Sequence, residues 1–296
     1  MKTTNNMNSK NHATVRALVL TGFGINCEHE TAAAYKLAGA EADIVHINEV
    51  FACKISIHDY DILNFPGGFS FGDDLGSGKV LANKIRYKRQ ADGKSFFGEL
   101  KNYISRGNFI LGICNGFQAL VKSGLLPNIR GRFEQEVTLA ANDSGKFEDR
   151  WCRLVKNSDA KTPFLNGIEE ISLPVRHGEG KLVISDPEIR REIIAKSLVC
   201  LSYCGFDGKP TSEYPFNPNG SELHAAALTD TTGRIMGIMP HPEAFTSFYN
   251  HPDWVKMKMA NPGISENGRG LKLFENIIEY VRENAKTKGE AQSDSN

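Results

Sequence analysis

Short apolar runs alternate with amphipathic stretches along the first half of the chain. "VRALVLT" (15–21) reads as a buried strand, "CEHETAAAYKLAG" as a helix stopped at Gly39, and "ADIVHI" (42–47) as a second strand. The alternation continues through strand "DILNF" (61–65), a helix from Phe96 to Ser105, strand "FILGI" (109–113) and a helix from Asn115 to Lys122. Strands of this kind need cover on both sides, which predicts an α/β fold: a mostly parallel open sheet with helices on both faces. Ligands in such sheets bind beyond the carboxyl ends of the strands. Both "FPGGFSFGDDLGSG" and Cys114 fall at such ends.

The second half is richer in strands: "EVTLAA", "RLVKN", "EISLPV", "KLVIS", "LVCLSY", "AAALTD" and "RIMGIM", closed by an amphipathic helix, "LKLFENIIEYVREN". These are β-rich additions to the sheet. No repeat or Pro/Ser-rich linker divides the chain, so the pattern predicts one domain over 15–285, with an insertion at about 125–170. Residues 1–14 and 286–296 are polar and weakly patterned and read as mobile tails.

Composition narrows the partners. Lys+Arg and Asp+Glu number 35 each in 296 residues, so there is no net field to draw in nucleic acid or an anionic membrane. No apolar run approaches a bilayer span, and the N-terminal residues lack the apolar core of a signal peptide. A cytoplasmic location follows, in which the six scattered cysteines stay thiols and the sequons at Asn142 and Asn219 are chance matches.

Candidate chemistry begins at Cys114. A strand running into Gly112-Ile113-Cys114-Asn115-Gly116 and then a helix has the form of a nucleophile elbow, and the helix N-terminus favours thiolate over thiol. Taken alone, the pentapeptide suits a core cysteine equally well. His241 and Glu243 in "GIMPHPEAF" follow another strand; proline between them keeps His241 extended, so both side chains project to one side. Glu243 could then orient an imidazole that faces Cys114. An oxyanion would need N–H donors, and Gly68 with the backbone of Asn115 are the candidates.

Other matches fail on spacing. "GDDLGSGKV" resembles a phosphate loop, but Asp73 and Val80 stand where it needs Gly and Ser/Thr, and "TGFGINC" has Cys27 where a dinucleotide fingerprint needs glycine. "HETAA" lacks a second metal-binding histidine, and no Pro-Cys-x-x-Cys follows "HGE" or "HPE". No metal site is expected.

Cysteine elbow, glycine loop and His-Pro-Glu, in this order, resemble the class I (triad) glutamine amidotransferases. "PGGFSFGD", "LGICNGFQAL", "PVRHGEGK", "YPFNPNGS", "GIMPHPE" and "GLKLFENI" look like the glutaminase of phosphoribosylformylglycinamidine synthase, over most of 15–285. Three segments, "GFGINCEHE", "GKFEDRW" and "YPFNPNGS", look more like the glutaminase domain of the single-chain enzyme than a standalone subunit. Ala244 departs from the pattern, where an arginine is usual.

The resemblance implies a flavodoxin-like sheet, a Cys114–His241–Glu243 triad, glutamine as substrate, and ammonia delivered to a synthetase subunit, with room for a third small subunit. It also implies substrate contacts from Gly67, Phe69, Gln118, His177 and Glu179. No cofactor is expected in this chain; ATP and Mg²⁺ belong on the synthetase, which makes the amidine ribonucleotide of purine synthesis. Two other readings of the residues stay open: a cysteine hydrolase of the intracellular peptidase or deglycase type, and a binding module with a vestigial triad.

Overall fold

The computed structural model describes residues 14–293; most of the first predicted tail, and the end of the second, lie outside these residues. Strand β1 (Arg16–Thr21) carries RALVLT with its central residues buried, as an interior parallel strand requires. Helix α1 (Glu28–Leu37), strand β2 (Glu41–His46), short helix α2 (Ile47–Phe51) and strand β3 (Ile62–Phe65) follow. Then come α3 (Lys79–Tyr87), α4 (Phe96–Ser105), β4 (Phe109–Ile113) and α5 (Asn115–Lys122). Three of these elements, α4, β4 and α5, coincide with the boundaries read from the sequence.

The remaining elements are β5 (Thr138–Ala141), β6 (Glu148–Lys156), β7 (Glu170–His177), β8 (Glu179–Val183), α6 (Pro187–Ala195) and β9 (Val199–Tyr203), then β10 (Ala225–Thr229), β11 (Ile235–Ile238), α7 (Trp254–Ala260) and α8 (Leu271–Ser293). Nine strands form one sheet in the order β2-β1-β3-β4-β11-β10-β9-β6-β7. The first five are mutually parallel; the other four pair antiparallel, and β5 with β8 makes a separate two-stranded sheet. From β1 the chain steps outward to β2, whereas β3 steps to β4 in the opposite direction. Right-handed crossovers therefore put α1 and α4 on opposite faces.

Two features differ from the sequence reading. The segment 125–170 holds β6, which pairs with β7 and β9 inside the main sheet, so much of the expected insertion is sheet. Helix α8 continues to Ser293, through most of the stretch read as a tail. At Gly178, within "HGEG", the chain leaves the large sheet and enters the small one, because β8 pairs with β5 instead of β7.

Candidate active site

Cys114 sits between β4 and α5 with φ 49° and ψ −104°, a backbone conformation that costs free energy for any L-residue. The surroundings hold it there: its N–H donates to Ile238 O at 2.8 Å, and α5 is buried from Asn115 through Val121. The thiol donates to the Arg176 carbonyl at 3.5 Å, at the end of β7. This is the elbow the pentapeptide suggested, and backbone strain of this kind at the carboxyl end of a strand points to function more than to packing.

His241 follows β11, the strand beside β4, so imidazole and thiol arise from neighbouring parallel strands. Its N–H donates to Pro174 O at 2.8 Å, which ties the loop to β7. Pro242 opens a single 3₁₀ turn, and the extended His241 before it lets Glu243 reach back: Nδ1 and Glu243 Oε1 are 2.6 Å apart, with both side chains almost wholly buried. Burial opposes charge on the imidazole, but Glu243 and the thiols of Cys114 and Cys27 outweigh it and lift the His241 pKa well above its ordinary value. Nε2 makes no aligned hydrogen bond.

The glycine loop lies against this pair. A Cβ on Gly67 would stand 2.8 Å from His241 Cε1, so the bare backbone is what admits the imidazole. Gly67 O accepts from the N–H groups of Asn26 and Cys27, and Phe69 N–H donates to Gly24 O at 2.7 Å. Gly68, held between those contacts, is the residue whose backbone faces an oxyanion in the sequence reading, and Asn115 N–H stands in the first turn of α5, where no helical acceptor exists. Phe69 is 48% exposed, its ring 6.2 Å from that of Phe147.

A buried polar network fixes the loop to α5. Asn115 Oδ1 accepts from Ser70 N–H, while its Nδ2 donates to Asp73 and to Gln118 Oε1. Gln118 Nε2 in turn donates to the Glu179 carbonyl. The amide that the resemblance assigns to the substrate is thus engaged within the protein. The Glu179 carboxylate accepts from Ser77 N–H at 3.2 Å and pairs with Lys122 Nζ at 3.3 Å. Gly78 N–H donates to Asp73. Within "GDDLGSGKV" the N–H groups of Ser77 and Gly78 are taken by carboxylates and those of Gly76 and Lys79 by backbone carbonyls.

His177 is buried beneath this wall, with Nδ1 against Asn142 Oδ1 at 3.1 Å. Burial, helped by the charge of His241, pushes its pKa down to about 3, so the ring is neutral. Asn142 and Asn219 are buried too, Asn219 bonding Gly180 O and Tyr203, which leaves neither sequon accessible. The reading of the sequence missed Ser70, Asp73, Lys122 and Cys27 as site residues. Cys27 caps α1 just beyond the end of β1, where the strand-end rule could have found it. Its donor atom, an imidazole nitrogen of His241 and a carboxylate oxygen of Glu243 lie within 4.8 Å of one another.

A strained cysteine on a parallel strand end, facing a buried His–Glu pair, defines the class of cysteine-nucleophile amidohydrolases built on an open α/β sheet. Residues 14–281 match the family described as CobB/CobQ-like glutamine amidotransferase domain. The chain is 43% identical over 270 residues to the phosphoribosylformylglycinamidine synthase subunit PurQ of Dehalococcoides mccartyi, spanning 91% of this chain and 98% of that one. It is 40% identical to the subunit of the same name from Methanococcus maripaludis, over 90% and 97% of the two chains. The solved structure of PurLQS from Thermotoga maritima superimposes with a TM-score of 0.65 at 28% identity, covering 90% of this chain and 99% of that chain. The chain belongs to the CobB/CobQ-like glutamine amidotransferase family, and to its PurQ branch. Both relatives are named as subunits and are matched along nearly their whole length.

Proposed function

We propose that the chain is the glutaminase subunit of phosphoribosylformylglycinamidine synthase. It hydrolyses glutamine to glutamate and hands ammonia to the synthetase subunit that converts formylglycinamide ribonucleotide to the amidine. The observation that carries this reading is the convergence of Cys114, His241 and Glu243 from neighbouring strand ends.

In the proposed mechanism the Cys114 thiol proton passes to His241 Nε2, the resulting thiolate attacks the side-chain carbonyl carbon of glutamine, and the N–H groups of Asn115 and Gly68 bind the developing oxyanion. His241, kept protonated by Glu243, gives its Nε2 proton to the departing nitrogen, and ammonia leaves a γ-glutamyl thioester on Cys114. The neutral imidazole then takes a proton from water, the hydroxide adds to the thioester, and glutamate departs as Cys114 is restored. Glu243 holds Nδ1 throughout. Asn115, Gln118, Glu179 and Lys122 keep the loop 66–78 in register with Cys114, and Gly67 and Phe69 line the entrance.

These groups account for every proton and electron pair of the hydrolysis. ATP and Mg²⁺ are assigned to the synthetase, and a third small subunit is compatible with the PurLQS assembly named for the structural relative. No described helix is long and apolar enough to cross a membrane, and the proposed location is cytoplasmic. The test is isotopic: with synthetase, ATP and amide-¹⁵N glutamine, the label should appear in the amidine with one glutamate per product. Unlabelled amidine would reject the reading.

A further inference from the structure

The thiol of Cys27 takes no part in the hydrolysis just derived, yet it stands at the same imidazole as Cys114. Cys27 is half-buried, whereas His241 and Glu243 are 3% and 4% exposed. Two polar atoms of this group have no hydrogen-bond partner, His241 Nε2 and Glu243 Oε2. A soft sulfur, an imidazole nitrogen and a carboxylate oxygen, all within 4.8 Å of one another, are therefore gathered from two distant stretches of chain. The partial exposure of Cys27 leaves a route from solvent.

We propose that Cys27, His241 and Glu243 form an inhibitory Zn²⁺ site that competes with glutamine turnover. The donor types suit a borderline-soft d¹⁰ ion, and the number of protein ligands, three, is that of an open tetrahedral site. Zinc–ligand bonds of roughly 2.0–2.3 Å put neighbouring donors about 3.5 Å apart, so closure needs shifts on the order of 1 Å. Binding replaces the thiol proton of Cys27 and any proton on the ligating imidazole nitrogen with the metal; both protons go to solvent and no electron moves. The ion then occupies the base and its orienting carboxylate. Magnesium, which prefers six oxygen donors, does not fit this set.

The full chain, free of metal and without glutamine, is titrated with Zn²⁺ against a chromophoric chelator, and with Co²⁺ for the thiolate charge-transfer band. Because no substrate is present, the result does not depend on whether the chain hydrolyses glutamine. The expected result is one equivalent of metal, binding weakened by roughly 10- to 100-fold or more in Cys27→Ser and in His241→Gln, and by less than about threefold in Cys114→Ser. Circular dichroism melts show that each variant is folded. Undiminished binding in Cys27→Ser overturns the proposal, as does loss in Cys114→Ser with Cys27→Ser unaffected, which would put the ion on the nucleophile instead.

Discussion

Gly116 is pressed so closely on Phe65 that a Cβ there would stand 1.9 Å from the Phe65 carbonyl oxygen. The first turn of α5 is thereby seated on the end of β3, and the turn bearing Cys114 and the glycine loop after Phe65 become one rigid unit. Gly67 serves the same site differently, because its nearest neighbour is the edge of a side chain, His241. The two glycines should respond differently to alanine. Gly116→Ala meets backbone and is expected to cost about 3 kcal/mol or more, giving insoluble or unfolded protein. Gly67→Ala should fold, with glutamine-dependent turnover reduced about 10²-fold by displacement of the imidazole. Melting temperature and activity measured side by side check the pair; a fully active Gly67→Ala contradicts the placement of His241.

The 2.6 Å contact between His241 Nδ1 and Glu243 fixes which nitrogen is left for chemistry. Glu243→Gln keeps the volume but removes the charge that holds the imidazole protonated and oriented. Glutaminase kcat should fall by roughly 10²- to 10⁴-fold with KM much less changed. Steady-state kinetics of the complex with glutamine decide this; a large rise in KM with kcat intact would make Glu243 a substrate-binding group instead.

Much of this site is legible in the sequence because its signals are local. "FILGICNG" combines a five-residue apolar strand with glycines at the only spacing an elbow tolerates, and His-Pro-Glu carries its own geometry through proline. Elements without such punctuation escape. Helix α3 begins after Gly78 in a left-handed conformation and not after a Ser, Thr or Asp cap. Asp73 and Lys122 reach the site only through tertiary contacts, and periodicity contains no information about those. The bend at Gly178 is hidden for a similar reason: apolar alternation tells that 170–175 and 181–185 are strands, but not that they join different sheets.

His177 gives the chain a pH-dependent stability. The unfolded imidazole binds a proton below about pH 6.5, whereas the buried ring does so only near pH 3. Its contribution is therefore complete above the unfolded value and is lost as pH falls, at up to about 1.4 kcal/mol per pH unit between those limits. His177→Gln should start less stable at neutral pH but decline more gently on acidification. Urea unfolding at pH 7, 6 and 5 compares the slopes; parallel curves would mean that His177 is protonated in the folded chain.

The central claim is that Cys114 releases ammonia from glutamine for a reaction completed elsewhere. Cys114→Ala is therefore assayed in complex with its synthetase subunit, with glutamine or with an ammonium salt as nitrogen source. The account predicts that amidine formation from glutamine is abolished while formation from ammonium persists at the wild-type level. Equal loss with both sources, or glutamine-dependent product from the variant, would contradict it.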